Sequence, residues 1–322
     1  MTVDAAAVGA RIVVRHETGA TGPTGGPEMT DVIGHVRRVD AATVDLELRD
    51  GAIRTVRLST VVSWKRVPDR PVRRRRAVGI EPEELTRITS RGWPATESVA
   101  LGDWELRSAG RFTGRANSVA ATGSPGVPFD EALQRVVAFY AQRSAPALAQ
   151  VVVGSECDRL FSEAGWVPMP GYHGGAVVQV TDLDSTHTPD PHARLSPTAD
   201  DNWLSSYGRV DDPAEARAVL EGPQRVAFVS IGSPVTAIGR VVVIGEWAGL
   251  SAVEVRPDAR RQGLARRIVE TSLAWAMDQG ADKAYLQTMR SNEAALALYA
   301  RYGFVDHHDY LYRQPLTGSS QR

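Results

Sequence analysis

The sequence predicts a mixed α/β protein carried behind a small all-β domain. Three observations lead there. Residues 8–67 hold five short alternating apolar runs split by Gly, Pro and Asp-Gly, the layout of short antiparallel strands. From residue 80 onward, strand-like alternation interleaves with helix-like 3.6-residue periodicity. Beyond residue 250, an alternating strand, a small-residue turn and a long amphipathic helix follow one another without a break.

The first predicted strands are 11–15, 31–39, 43–48, 53–58 and 61–67, with a long loop over 19–27. Val44, Leu46 and Leu48 alternate with Asp45, Glu47 and Arg49, as in a half-buried antiparallel strand. Arg49-Asp50-Gly51 then reads as a hairpin turn. Five strands in this order resemble an SH3-like barrel, assigned to residues 1–69; such a fold does not by itself define a function. Residues 70–79 form a Pro/Arg-rich linker that includes Arg73-Arg74-Arg75-Arg76. A solvated connection is expected there, because no broad basic face with interleaved aromatics accompanies the run.

Residues 80–181 are expected to form a first α/β half. Glu83 and Glu84 behind Pro82 open a helix. Strands are expected at 104–108 and 116–120, a helix at 129–143, a strand at 149–153 and a helix at 155–164. Residues 182–197 read as a linker rich in Asp, Thr, Pro and His, with His187 and His192 solvated. The second half, 198–316, reads as two helices (199–207, 213–221), three strands (225–230, 237–244, 250–255) and a long helix from Leu264. Strand 283–288, helix 292–301 and strand 308–312 complete it, and 317–322 is a tail.

The two halves look like copies, the other reading being an unrelated α/β domain with chance similarity at one helix end. The shift that lays Gly165 on Gly303 also lays Leu160 on Leu298, Phe161 on Tyr299 and Trp166 on Phe304. It puts Thr122 on Arg260, Pro125 on Gly263 and Gly154 on Asn292, so the polar positions are not shared.

Those polar positions carry chemistry. The strand 250–255 is stopped by Pro257, and Arg260, Gly263 and Ala265 follow in R-x-x-G-x-A spacing. A helix beginning there points free N–H groups and the positive end of its dipole outward, which favours an anion. Gly263 and Ala265 let a phosphate approach the backbone, and Arg260 and Arg261 add permanent charge. Taken alone, this spacing also fits an ordinary strand-to-helix turn. Strand 284–288, Asn292 and a helix with Leu298, Tyr299, Tyr302, Gly303 and Phe304 then follow.

This ordered pair of blocks, over about residues 200–315, resembles the GNAT superfamily of acyl-CoA-dependent N-acetyltransferases. The resemblance implies two GNAT-like α/β halves, each with a mixed, mostly antiparallel sheet and splayed central strands. It implies acetyl-CoA as cofactor, with CoA as product, held by Val253, Val255, Arg260, Arg261, Gln262, Gly263, Leu264, Ala265 and Asn292. It also implies direct acetyl transfer to a primary amine in the second half, the first half being a degenerate copy that builds part of the substrate cleft.

Tyr299 matches the family's general acid; its ordinary pKa near 10 keeps it protonated at neutral pH. The same tyrosine could simply pack beside Leu298. Asn292 could hold the pantetheine arm, cap the helix, or do both. Glu254 is the first choice for the base and Glu246 the second. Family acceptors are small amines, amino-sugars, peptides and protein lysines, and nothing in the sequence selects among them. A second class of function stays open: an acyl-CoA-binding regulatory or docking protein with little turnover.

Composition narrows the field. The chain has 322 residues, 43% hydrophobic and 23% charged, with a net charge of −1. No global field therefore draws it to nucleic acid or to a membrane surface. No apolar run reaches the length of a membrane span. Cys157 is the sole cysteine, so an intrachain disulfide is excluded and a reducing compartment fits. Cytoplasmic location, no metal and freedom to form homo-oligomers are the expectations. Lys65 and Lys283 are the only lysines among many arginines, which points to a GC-rich bacterial origin.

Overall fold

The computed structural model describes residues 3–21, 26–48, 51–67, 76–171, 175–183 and 187–316. Parts of the 19–27 loop, Arg49 and Asp50 of the expected hairpin turn, Arg73–Arg75 and the 317–322 tail lie outside the described residues. The chain divides into two compact units, Met1–Arg74 and Arg75–Arg322.

The first unit is one antiparallel sheet. Its strands are β1 (Arg11–Thr21), β2 (Pro27–Val39), β3 (Thr43–Glu47), β4 (Ile53–Arg57) and β5 (Val61–Arg66). Their order is β4-β3-β2-β1-β5. Ile12, Val14, Val36, Val44 and Leu46 form its buried core, the inward set of each alternating strand. Among the described residues no pairing joins β4 to β5, so the sheet is open where a closed barrel was expected.

The second unit is built on a single twelve-stranded sheet. Helix α1 (Pro82–Gly92) leads into β6 (Glu97–Leu101), β7 (Trp104–Ser108) and the short β8 (Val119–Ala120). Helix α2 (Phe129–Ala141), β9 (Ala149–Val152), α3 (Glu156–Glu163), β10 (Trp166–Pro168) and β11 (Gly175–Asp182) complete the first half. The second half runs β12 (Ala193–Ser196), α4 (Asp201–Ser206), α5 (Pro213–Leu220), β13 (Val226–Ile231), β14 (Ala237–Ile244) and β15 (Trp247–Val255). It ends with α6 (Leu264–Asp278), β16 (Lys283–Thr288), α7 (Glu293–Ala300) and β17 (Val305–Pro315).

The sheet order is β12-β13-β14-β15-β16-β11-β17-β9-β8-β7-β6, with β10 on β17. The repeat is visible in it: β15 runs parallel to β16 across α6, and β8 runs parallel to β9 across α2. Strand β11 belongs to the first half by sequence but lies between β16 and β17, pairing antiparallel with both. The second half therefore depends on a strand that precedes it in the chain. The ungapped alignment of the halves holds at the ends of α3 and α7. It slips by a few residues at the first helix, since α2 starts at Phe129.

Within the 182–197 segment, His187 and Asp190 pack on α6. Asp190 pairs with Arg267 of α6, and its N–H donates to Thr271 Oγ1 at 2.9 Å. The His187 side chain is 8% exposed and its Nδ1 lies 3.0 Å from Glu270, which corrects its reading as a solvated histidine. Residues 193–196 add an edge strand to β13. Along α6, Ile268, Val269 and Leu273 are fully buried against the sheet, each stabilising the packing by about 2 kcal/mol.

Candidate active site

Strands β15 and β16 pair only from Trp247–Lys283 to Leu250–Leu286. Beyond that point β15 runs on to Val255 and β16 to Thr288, each bonded on its far side, to β14 and β11 respectively. The facing edges are left unpaired, a fork open toward the carboxyl ends of the strands. Ala252 marks the turning point. It sits at φ 52, and the register against β14 shifts between Ile238 and Arg240, a bulge that bends β15. After it, Val253 and Val255 face the α6 side, packing in the cluster of Leu264 and Ile268. Ala252 packs on the opposite face with Tyr207.

The strand-to-helix turn lies at the mouth of this fork. Gly263 is the N-cap of α6 at φ 76, and Arg261 is at φ 63. Two left-handed residues this close turn successive N–H groups toward one side. The N–H groups of Arg261, Gln262, Gly263, Leu264 and Ala265 donate to no described residue. A Cβ on Gly263 would project into open space, so glycine is needed there for backbone conformation and for access from outside. Arg260 is exposed, and its Nε donates to the Val255 carbonyl at 3.3 Å, tying the turn to the strand end.

Asn292 caps α7, its Oδ1 accepting from the Ala295 N–H at 3.2 Å. Tyr299 is buried, edge-on to Phe304 at 5.8 Å, in the cluster that holds Leu250, Leu286 and Val253. Burial alone pushes its hydroxyl well above the ordinary tyrosine range. Glu254 lies 3.6 Å from Arg209, with its side chain about a third exposed. Glu246 sits in the turn before β15, bonded to Lys283 Nζ at 2.7 Å. That places it seven residues from Val253 along an extended strand, about 23 Å away, so the alternative base is set aside.

Several residues near the fork carried no sequence signal. Trp93, just past α1, stacks on Phe112 at 5.9 Å and donates from Nε1 to Thr113 Oγ1 at 2.9 Å. Thr113 is held at φ 63, a strained position for a β-branched residue. Asn117 pins the same loop through Ala109, Phe112 and Thr113. Arg115 on that loop lies 4.1 Å over the Trp93 ring and donates to Gln287 Oε1 at 2.8 Å. Beneath it, Arg240 of β14 is buried and donates to the Leu220 and Gly92 carbonyls and to Ser251 Oγ. Only the pairing of β14 with β15 brings Arg240 opposite Ser251.

The corresponding region of the first half is closed. Asp103 Oδ2 accepts from the Ser124 N–H at 3.0 Å and the Asp103 N–H donates to the Ser124 carbonyl at 2.7 Å, so a carboxylate already occupies the turn before α2. Trp104, Phe129, Phe161 and Trp166 fill the space inside. Cys157 is buried there and its thiol is pushed up to about 11, inert as a nucleophile at neutral pH. A cleft of about 710 Å³ is lined by His187, Glu270, Tyr302 and neighbours at the opposite end of β16 from the fork. Among the described residues no metal-ligating cluster occurs, and no helix is long and apolar enough to cross a membrane.

A parallel strand pair that forks beside a helix-capping N–H cradle, in a mostly antiparallel sheet, defines a GNAT-type acyltransferase, and the chain belongs to the GNAT superfamily. Within it, residues 83–313 match the family described as "Probable histone acetyltransferase Rv0428c C-terminal", of which this chain is a member. A curated relative, the uncharacterized N-acetyltransferase YobR of Bacillus subtilis (strain 168), is 24% identical over 243 residues, 71% of this chain and 97% of that one. Among solved structures, a GCN5-related N-acetyltransferase from Kribbella flavida superposes with a TM-score of 0.53 at 15% identity, covering 73% of this chain and 96% of its own. A tandem GNAT protein from the clavulanic acid biosynthesis pathway gives 0.51 at 13% identity, covering 76% and 91%. The protein is thus an acetyltransferase of GNAT type with a tandem-like fold.

Proposed function

We propose that the protein is an acetyl-CoA-dependent N-acetyltransferase whose second half transfers the acetyl group directly to a primary amine. The observation that carries this reading is the row of unpartnered N–H groups from Arg261 to Ala265 at the head of α6, next to the open edge of β15. That row suits a pyrophosphate, and the unpaired edge at Val253 and Val255 suits the amides of a pantetheine arm. Bound acetyl-CoA supplies the acyl group as an activated thioester.

The chain's own residues do the rest. Arg260, Arg261, Gln262, Gly263, Leu264 and Ala265 hold the anionic end, and Asn292 steadies the arm while capping α7. An N–H of the open β15 edge faces the developing oxyanion. Glu254 takes a proton from the acceptor ammonium, directly or through water. Tyr299 keeps its proton at neutral pH and offers it to the departing sulfur, and the second proton shed by the acylated nitrogen restores it, directly or through water. Asp103 and Pro125 support an inert first half, because a second anion would meet a carboxylate and one N–H fewer.

Calorimetric titration with acetyl-CoA tests the reading. One site per chain is expected, lost in Gly263→Trp with the thermal transition of the variant confirming its fold. No binding would overturn the acetyltransferase reading. Binding without CoA release across an amine panel would favour a regulatory acyl-CoA-binding protein. The buried lone cysteine supports a cytoplasmic location.

A further inference from the structure

We infer that the acceptor carries an anionic group, a carboxylate or phosphate, which Arg115 receives at the rim of the slot beneath the fork. This rests on the acetyltransferase reading above. The slot is bounded by Thr89, Trp93, Arg115, Arg240, Tyr285 and Gln287 together with Ser251 on β15. It lies where the β15–β16 pairing ends, and it has room for about one water molecule at its base.

Its charge is one-sided. The slot is lined by two arginines and by no Asp or Glu. Arg240 is 1% exposed, and its described partners are two carbonyls, a hydroxyl and the Trp93 ring at 4.9 Å. Arg115 is half-buried, and its described contacts are the Gln287 amide and the Trp93 ring. Neither forms an ion pair among the described residues. The neighbouring Arg209 and Glu254 neutralise each other, and Tyr207 and Tyr285 are uncharged at neutral pH. Burying a guanidinium without a counter-charge is costly, and a ligand anion offsets that cost.

The field of Arg240 is fixed from below by three hydrogen bonds, and Arg115 is oriented by the pinned, strained loop around Thr113. A planar fork held this way suits bidentate contact with an oxyacid. An amine on the same molecule is then presented to Glu254, which follows Ser251 of the slot along β15. A Lys- or Arg-rich peptide would meet repulsion at the same place.

The test is binding and turnover of matched amines. Glycine, β-alanine and γ-aminobutyrate are compared with their amides, phosphoethanolamine with ethanolamine, and a lysine-rich peptide with all of them. The acids are expected to bind about tenfold more tightly than their neutral partners, the contribution of one charge-assisted hydrogen bond. Arg115→Gln should remove that preference, Arg115→Lys should restore part of it, and acetyl-CoA affinity should stay as in the wild type. A preference confined to phosphoethanolamine identifies the anion as phosphate; one confined to the amino acids identifies carboxylate. Equal binding of acids and amides, tighter binding of the peptide, no binding of any acid, or an unchanged preference in Arg115→Gln overturns the inference. Binding of the amines is read without acetyl-CoA, so failure of the parent reading shows separately as absent acetyl-CoA binding.

Discussion

Tyr299 shows how one packing environment also sets a side chain's protonation. Its ring fills the core against Phe304, and the same burial keeps the hydroxyl protonated far above neutral pH. Tyr299→Phe should lower kcat about 100-fold, the scale of general-acid catalysis, with acetyl-CoA affinity unchanged by calorimetry. Equal losses in both would make Tyr299 a binding residue instead. His308 supplies a stability prediction of a different kind. His307 Nε2–H donates to the Ile80 carbonyl at 2.9 Å, so its Nδ1 accepts from His308 Nδ1 at 2.7 Å. His308 Nε2 is then buried with no partner among the described residues, and burial lowers the His308 pKa to about 4. Between its ordinary value near 6.5 and about 4, the unfolded chain binds a proton that the folded one refuses. Stability should therefore fall as pH drops through that window, by at most about 3 kcal/mol. His308→Gln should flatten that acid limb in urea titrations, and an unchanged limb would assign it to other groups.

At the scale of elements, the head of α6 and the head of α7 do different work. The Asn292 side chain is committed to the cap of α7, so Asn292→Ala should cost about 1 kcal/mol in chemical denaturation. A second effect, weaker acetyl-CoA binding, should accompany it; the Asn292→Ser variant keeps a cap and isolates that effect. At α6 the cap is Gly263 in the left-handed region, without a side-chain acceptor. Gly263→Ala should cost roughly 1 kcal/mol in backbone strain, read as a lower Tm, and should leave Tyr299 in place. Both heads were legible as R-x-x-G-x-A and as Asn before Leu-Tyr. The bulge at Ala252 was not, because alanine carries no signal for a positive φ. The pairing with β14 imposes it.

The second unit is bound together by β11. Residues 175–182 fill the place between β16 and β17, so a fragment of residues 198–316 would expose two strand edges. That fragment is expected to aggregate or to show no cooperative unfolding, whereas residues 76–316 should unfold cooperatively and bind acetyl-CoA. Cooperative folding of the shorter piece would show that β11 is dispensable. One sheet runs through both of the expected α/β halves.

The sequence by itself determined the family, the glycine turn at the head of α6 and the Tyr299 helix, because these depend on local spacing: a strand stop, a glycine, a cap and a helical period. It also showed that the first half lacked those residues. The tertiary structure decided the rest. It carried β11 into the second half, and it tied Glu246 to Lys283 at the paired end of β15. It also set Trp93, Arg115 and Arg240 around one slot from three separate parts of the chain. No local pattern records such a meeting, because it depends on which strands pair and on which face each alternating side chain then falls.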